Sequence, residues 1–174
     1  MNRLGVLLLA ACVFGAAACD DDDSSPAAPS NQPLVFVADL RAANEVPAIT
    51  GPESGGTGTA TITLTPTRDA SNAITAGTFE FAFTVTGLTT TSNITLAHIH
   101  TGAAGVNGGI VVNSNLSQAT SIPTPAGSAS FQRSGLTADV ATINQIVANP
   151  AGFYFNVHTS LNPGGVVRGQ LRAQ

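Results

Sequence analysis

With 174 residues, 9% of them charged and a formal net charge of −4, the chain is sized for one domain rather than two, and its field is too weak to steer a partner. Its six basic residues are arginines scattered at positions 3, 41, 68, 133, 168 and 172, so there is no basic patch to hold a phosphate backbone and nucleic acid is excluded as a partner. A hydrophobic content of 43% suffices for a core, and 18 glycines with 10 prolines point to many turns between short strands.

The first element reads as an export signal. Asn2 and Arg3 form a short positive stretch, and Leu4 to Ala18 is apolar, broken only by Gly and Cys, and short for a membrane span. Ala16-Ala17-Ala18-Cys19 resembles the bacterial lipobox, in which small residues precede a Cys that receives lipid. Residues 1–18 are thus expected to be a lipoprotein signal peptide and Cys19 the acylated anchor. Leu9-Ala10-Ala11-Cys12 also fits the pattern, but cleavage there would leave a very short apolar stretch and expose Val13 to Ala18, whereas the abrupt switch to Asp20 favours Cys19. Such an anchor implies a bacterial cell-envelope protein, facing the periplasm or the exterior, with the membrane as a partner. Residues 19–33, acidic and then rich in Ser, Pro and Ala, lack periodicity and are expected to be a disordered tether. With Cys19 acylated, no cysteine remains in the mature chain for a disulfide.

From Leu34 to Gln174 the pattern is that of one β domain. Val35–Leu40, Gly58–Thr65, Thr78–Thr86, Ile94–His100, Ile110–Asn113, Ser128–Ser134, Phe153–Thr159 and Val166–Arg172 alternate or run apolar with β-branched residues between turn signals. The expectation is an all-β fold, a Greek-key-like antiparallel sandwich of about eight strands. Phe79, Phe81, Phe83 and Val85 share one face of their strand and belong in the core; Tyr154, Asn156 and His158 share a polar face of theirs. One helix is expected over about 137–148, from the helical spacing of Val140, Ile143 and Ile146, with Thr137 as N-cap and Asn149-Pro150 as the stop. The glycine-rich run Gly102–Gly109 lacks the Lys-Ser/Thr of a phosphate loop and reads as a turn, and Asn162-Pro163-Gly164-Gly165 reads as the turn of a hairpin that sets Arg168 on the face of Asn156 and His158.

The segments Asn44-Glu45-Val46-Pro47, Ala97-His98-Ile99-His100-Thr101-Gly102 followed by Gly105-Val106-Asn107-Gly108, and Asn156-Val157-His158-Thr159 before Asn162-Pro163-Gly164-Gly165 and Arg168-Gly169-Gln170-Leu171 together resemble the CHRD domain. The likeness runs from about Phe36 to Leu171, with the motifs in the family's order. It implies an extracellular domain whose bacterial members are secreted and mostly without an assigned role. The chain departs from the pattern at Val166, where the family usually carries Glu, and at Ala48, where it usually has Pro.

All three histidines of the chain fall inside these motifs. His98 and His100, two apart on a strand, project from one face, and a third imidazole from His158 would complete a three-histidine metal site suited to Cu or Zn. Glu45 would add a ligand or an acceptor behind one, with Asn156 and Arg168 as supporting residues. The competing reading has the same histidines bonding backbone and neighbours to fix the Gly-rich loops. Arg168 is expected to pair with a carboxylate such as Glu45 or Glu80. A His-x-His strand on a sandwich is similar to the copper,zinc superoxide dismutases, but the zinc-loop histidines and aspartate and the disulfide of that family are missing. No catalytic residue is assigned. Three readings remain: an envelope-anchored binding or interaction module, with a protein partner and a histidine metal site; a copper or zinc metalloprotein or metalloenzyme; and a purely structural envelope component.

Overall fold

The computed structural model describes residues 30–174, so the signal peptide, Cys19 and most of the tether lie outside the described residues. Ten strands follow one another, β1 (Leu34–Arg41), β2 (Thr57–Arg68), β3 (Ile74–Thr86), β4 (Asn93–Thr101), β5 (Ile110–Asn113), β6 (Ile122–Pro123), β7 (Ala129–Leu136), β8 (Phe153–Thr159), β9 (Val167–Gln170) and β10 (Arg172–Ala173), with one helix, α1 (Val140–Ala148), between β7 and β8. The all-β expectation holds, and each expected strand is present. The two additions are two-residue strands: β6, which pairs with β4, and β10, which continues β9 past a break at Leu171 and pairs with β1.

All pairings are antiparallel, in the order β5-β4-β8-β9-β1-β2-β3-β7. Neighbours such as β3–β7, β4–β8 and β9–β1 are distant in sequence, so the chain crosses repeatedly between the two halves of one continuous sheet. That sheet folds over on itself into a near-barrel sandwich because its inner face is apolar from end to end. In β2, Ala60, Ile62 and Leu64 alternate with outward threonines; in β3, Phe79, Phe81, Phe83 and Val85 are all buried, as their period of two requires. The halves meet where Phe155 of β8 takes Phe81 edge-on at 5.1 Å and Phe83 at 5.6 Å between ring centroids. Burying each such ring contributes about 1.5–3 kcal/mol.

Helix α1 starts later than expected. Asp139, not Thr137, is its N-cap, because the Asp139 carboxylate accepts the Thr142 backbone N–H at 2.8 Å and the Thr142 hydroxyl at 2.7 Å, a bond Thr137 is two residues too early to make. Asn149 ends it and Pro150 opens a short 3-10 turn, as the stop signal required. Ile143 and Ile146 are fully buried, and the Ile143 side chain lies over Gly77 of β3 beside Leu64, where a Cβ would stand 2.8 Å from Leu64 Cδ1.

β8 departs from simple alternation. Every residue from Phe153 to Thr159 is buried, so the polar face carrying Tyr154, Asn156 and His158 is roofed rather than open to water. The roof consists of residues 42–49, 102–109 and 160–166.

Candidate metal centre

Register brings the candidate residues into adjoining rows on the outer face of β4, β8 and β9. His98 of β4 is opposite Asn156 of β8, which is opposite Arg168 of β9; His100 is opposite Tyr154, and Leu96 opposite His158. The expected hairpin forms between β8 and β9 and sets Arg168 beside Asn156.

The three imidazoles converge. One ring nitrogen of each of His98, His100 and His158 lies within 4.8 Å of the others'. His100 Nδ1 is 3.0 Å from the Gly108 carbonyl and His158 Nδ1 is 2.9 Å from the Pro163 carbonyl. A carbonyl oxygen only accepts, so both Nδ1 atoms carry protons and donate, and the Nε2 atoms of the neutral rings hold the lone pairs. His98 Nδ1, 3.1 Å from His158 Nε2, is therefore the donor of that pair. The Nε2 of His100 is buried with no partner.

Burial lowers the pKa of all three histidines. For His98, burial and then the neighbouring His158 and His100 bring it to about 4; for His100 burial outweighs the bond to Gly108, and for His158 it outweighs the bond to Pro163. The rings are thus neutral near pH 7, the form in which imidazole ligates a metal. A ring held through Nδ1–H to a carbonyl, with Nε2 aimed at its neighbours, is the outer-shell arrangement that fixes tautomer and orientation in histidine metal sites. The residues present fit a first-row transition ion that would replace the His98–His158 hydrogen bond: with the His98 proton carried on its Nε2, His98 Nδ1 and His158 Nε2 are both free to ligate. An unpartnered buried acceptor otherwise costs about 1–3 kcal/mol, and Asn156 Oδ1 in the next row is another.

Glu45 stands beside this cluster rather than in it. Its carboxylate accepts the Asn156 side-chain N–H through Oε1, and burial pushes its pKa up to about 7 against the opposing pull of Arg168 and Asn156. Gly165, at φ +131°, packs against the pair: a Cβ there would meet Asn156 Nδ2 at 2.6 Å and Glu45 Oε1 at 2.9 Å.

Arg168 differs from expectation. Among the described residues the one salt bridge joins Arg172 to Asp39. The Arg168 guanidinium, 2% exposed, donates instead to the Asn44 carbonyl at 2.6 Å and to Asn107 Oδ1 at 2.7 Å, and its Cζ sits 4.6 Å from the Tyr154 ring centroid. Glu80 is on another outer face, accepting from Gln132. Neutral acceptors on two covering segments fill the role assigned to a carboxylate, and Asn107 Nδ2 completes the clamp by donating to the Val46 carbonyl at 2.8 Å.

Two further residues matter. Tyr154 lies flat on His100, 4.9 Å between centroids and 5° between planes, so it holds one imidazole while Arg168 takes up the same ring. Its place on the face of Asn156 and His158 was the available signal. Glu53 is fully buried, with Oε2 accepting from the Thr159 hydroxyl and the Asn162 amide, both at 2.7 Å, and Oε1 from the Thr89 N–H at 3.2 Å. A single acid between glycines carries no sequence signal for that role.

Residues 36–171 match the CHRD domain family. The chain belongs to that family. No curated protein and no solved structure matches it. The match spans the CHRD domain from β1 to Leu171, so the histidine cluster, the segments roofing it and the Arg168 clamp all lie inside the family unit. The two departures sit in the same region: Val166 is fully buried and donates its N–H to the Val157 carbonyl, leaving no acid there, and Ala48 follows the cis Val46–Pro47 bond.

Proposed function

We propose that this CHRD domain is an envelope-anchored binding module that holds one copper or zinc ion through His98, His100 and His158. The observation that carries the reading is the convergence of three neutral imidazole nitrogens within 4.8 Å, two of them oriented by Nδ1–H bonds to loop carbonyls. The ion would be enclosed, since His98 and His158 are 2% and 6% exposed, and enclosure favours holding the ion over turning substrate over at it. In its place the ion supplies Lewis acidity and, if copper, one-electron chemistry. The chain's own residues orient the rings through Gly108 and Pro163, keep them neutral by burial, and exclude water beneath the roof.

Elemental analysis of untagged protein purified after expression of the full sequence tests this, beside a His98→Ala/His100→Ala variant. About one Cu or Zn per chain, lost in the variant, is expected; no metal after reconstitution with either ion leaves a cluster that only fixes loops. The anchor is tested separately: Cys19→Ala should move the protein from the membrane to the soluble fraction and abolish incorporation of labelled fatty acid.

A further inference from the structure

The three-histidine centre supplies nitrogen and no negative charge. Among the described residues the cluster able to hold an ion consists of His98, His100 and His158, with no carboxylate in it. Glu45, the acid beside it, spends Oε1 on Asn156, and burial draws its carboxyl toward the neutral form. Glu53 is taken up by Thr159, Asn162 and Thr89. The fixed charge that does bear on the rings is positive. The Arg168 guanidinium is 2% exposed, no carboxylate among the described residues pairs with it, and its Nη2 has no partner. It lies over the Tyr154 ring that stacks on His100, and its charge opposes protonation of that imidazole.

We infer that the ion held here is copper in its cuprous state, selected against zinc and cupric ions by the charge and the number of the donors. The inference rests on the metal reading above and narrows it. The cost of burying an ion grows with the square of its charge, and its repulsion by a buried guanidinium grows in direct proportion to that charge. A divalent ion among three neutral rings is therefore opposed on both counts, and a monovalent one is opposed least. Where proteins enclose divalent ions, ionised carboxylates or thiolates commonly offset the charge, and this cluster has neither.

The number of donors points the same way. Zinc takes four, with water as the fourth where the protein supplies three. Here His98 and His158 are buried beneath the roof, and the unpartnered oxygen of the adjoining row, Asn156 Oδ1, is neutral and adds no charge. A cuprous ion has a filled d shell and no preferred geometry, is satisfied by the three ring nitrogens, and finds in imidazole a donor that suits copper. Other monovalent ions are hard and take oxygen rather than imidazole.

Competition titrations of untagged, detergent-purified protein expressed from the full sequence test this, with cuprous ion against bathocuproine disulfonate under argon and zinc against a chromophoric zinc chelator. A Glu45→Gln/Asn156→Asp variant is titrated beside it. That exchange keeps a hydrogen bond between the two positions, now donated from position 45, and puts the carboxylate in the row of His98. One cuprous ion per chain is expected, held at least about a hundredfold more tightly than zinc, with the gap narrowed about tenfold or more in the variant and the circular-dichroism spectra alike. In a redox titration the bound copper should show a midpoint potential above that of copper held by free imidazole in the same buffer. The titrant supplies one electron, and no proton moves because the rings are neutral in both states. Zinc held as tightly as cuprous ion, or a midpoint at or below the reference, overturns the cuprous assignment and leaves the metal reading standing. Neither ion bound overturns the metal reading itself. A folded variant with the gap unchanged overturns the selection by charge; should the variant not fold, the wild-type titrations still decide the assignment.

Discussion

Glu45→Gln should stabilise the protein at neutral pH and leave it unchanged in acid. The Glu45 carboxyl is 8% exposed, and burial raises its pKa from 4.5 to about 7. A carboxyl with a raised folded pKa contributes its full stability while protonated, below the unfolded value, and that contribution is lost as pH rises through the folded one. The shift corresponds to roughly 3 kcal/mol accumulated between pH 4.5 and 7. Gln has the same shape, keeps an oxygen to accept from Asn156, and does not ionise. Urea unfolding of both proteins in chelator at pH 5, 6, 7 and 8 measures the difference directly, and the histidines, which titrate in both, cancel from it. The variant's advantage should grow steadily to pH 7 and level off above. A difference that stays flat within about 0.5 kcal/mol across the series would refute a carboxyl ionising against burial.

Phe81→Ala removes a fully buried ring that packs edge-on against Phe155, and should cost about 3–5 kcal/mol in chemical denaturation because the two halves of the sheet lose their central contact. Glu53→Ala strands the Thr159 hydroxyl, the Asn162 amide and the Thr89 N–H, and should cost about 3–5 kcal/mol, read as a shifted urea midpoint at pH 7. In a histidine proton titration by NMR of metal-free protein, His98 should protonate near pH 4; stability present above pH 6.5 should fall as pH drops toward that value. Gly108→Ala should displace the 102–109 segment, since a Cβ would collide with the Thr101 carbonyl, and so break the bond that orients His100; a lowered melting temperature together with loss of metal retention below the new midpoint is the expected signature.

Strand positions were legible because apolar and polar residues alternate with period two across β1 to β4 and β8, and the histidine cluster because His-x-His fixes a face and the β8–β9 hairpin fixes Arg168. What the sequence did not disclose is cooperative in space. The roof over β8 depends on Arg168 finding Asn44 and Asn107, residues far away along the chain, so the polar face of β8 proves buried and an expected ion pair proves to be a clamp of the guanidinium on neutral acceptors. The helix cap is Asp139 rather than the expected Thr137 because it is the Asp139 carboxylate that reaches the Thr142 N–H, a distance the spacing of apolar residues does not reveal.

The place of β1 constrains how this domain is made. It lies between β2 on one side and β9 with β10 on the other, Arg41 facing Arg168 and Phe36 facing Ala173. β1 thus waits with one edge unpaired until β9 and β10 have been made, and contacts of this sequence separation form slowly. Until then Phe36 and Leu40 are uncovered, so a chain lacking β9 and β10 should aggregate rather than form a shorter native domain.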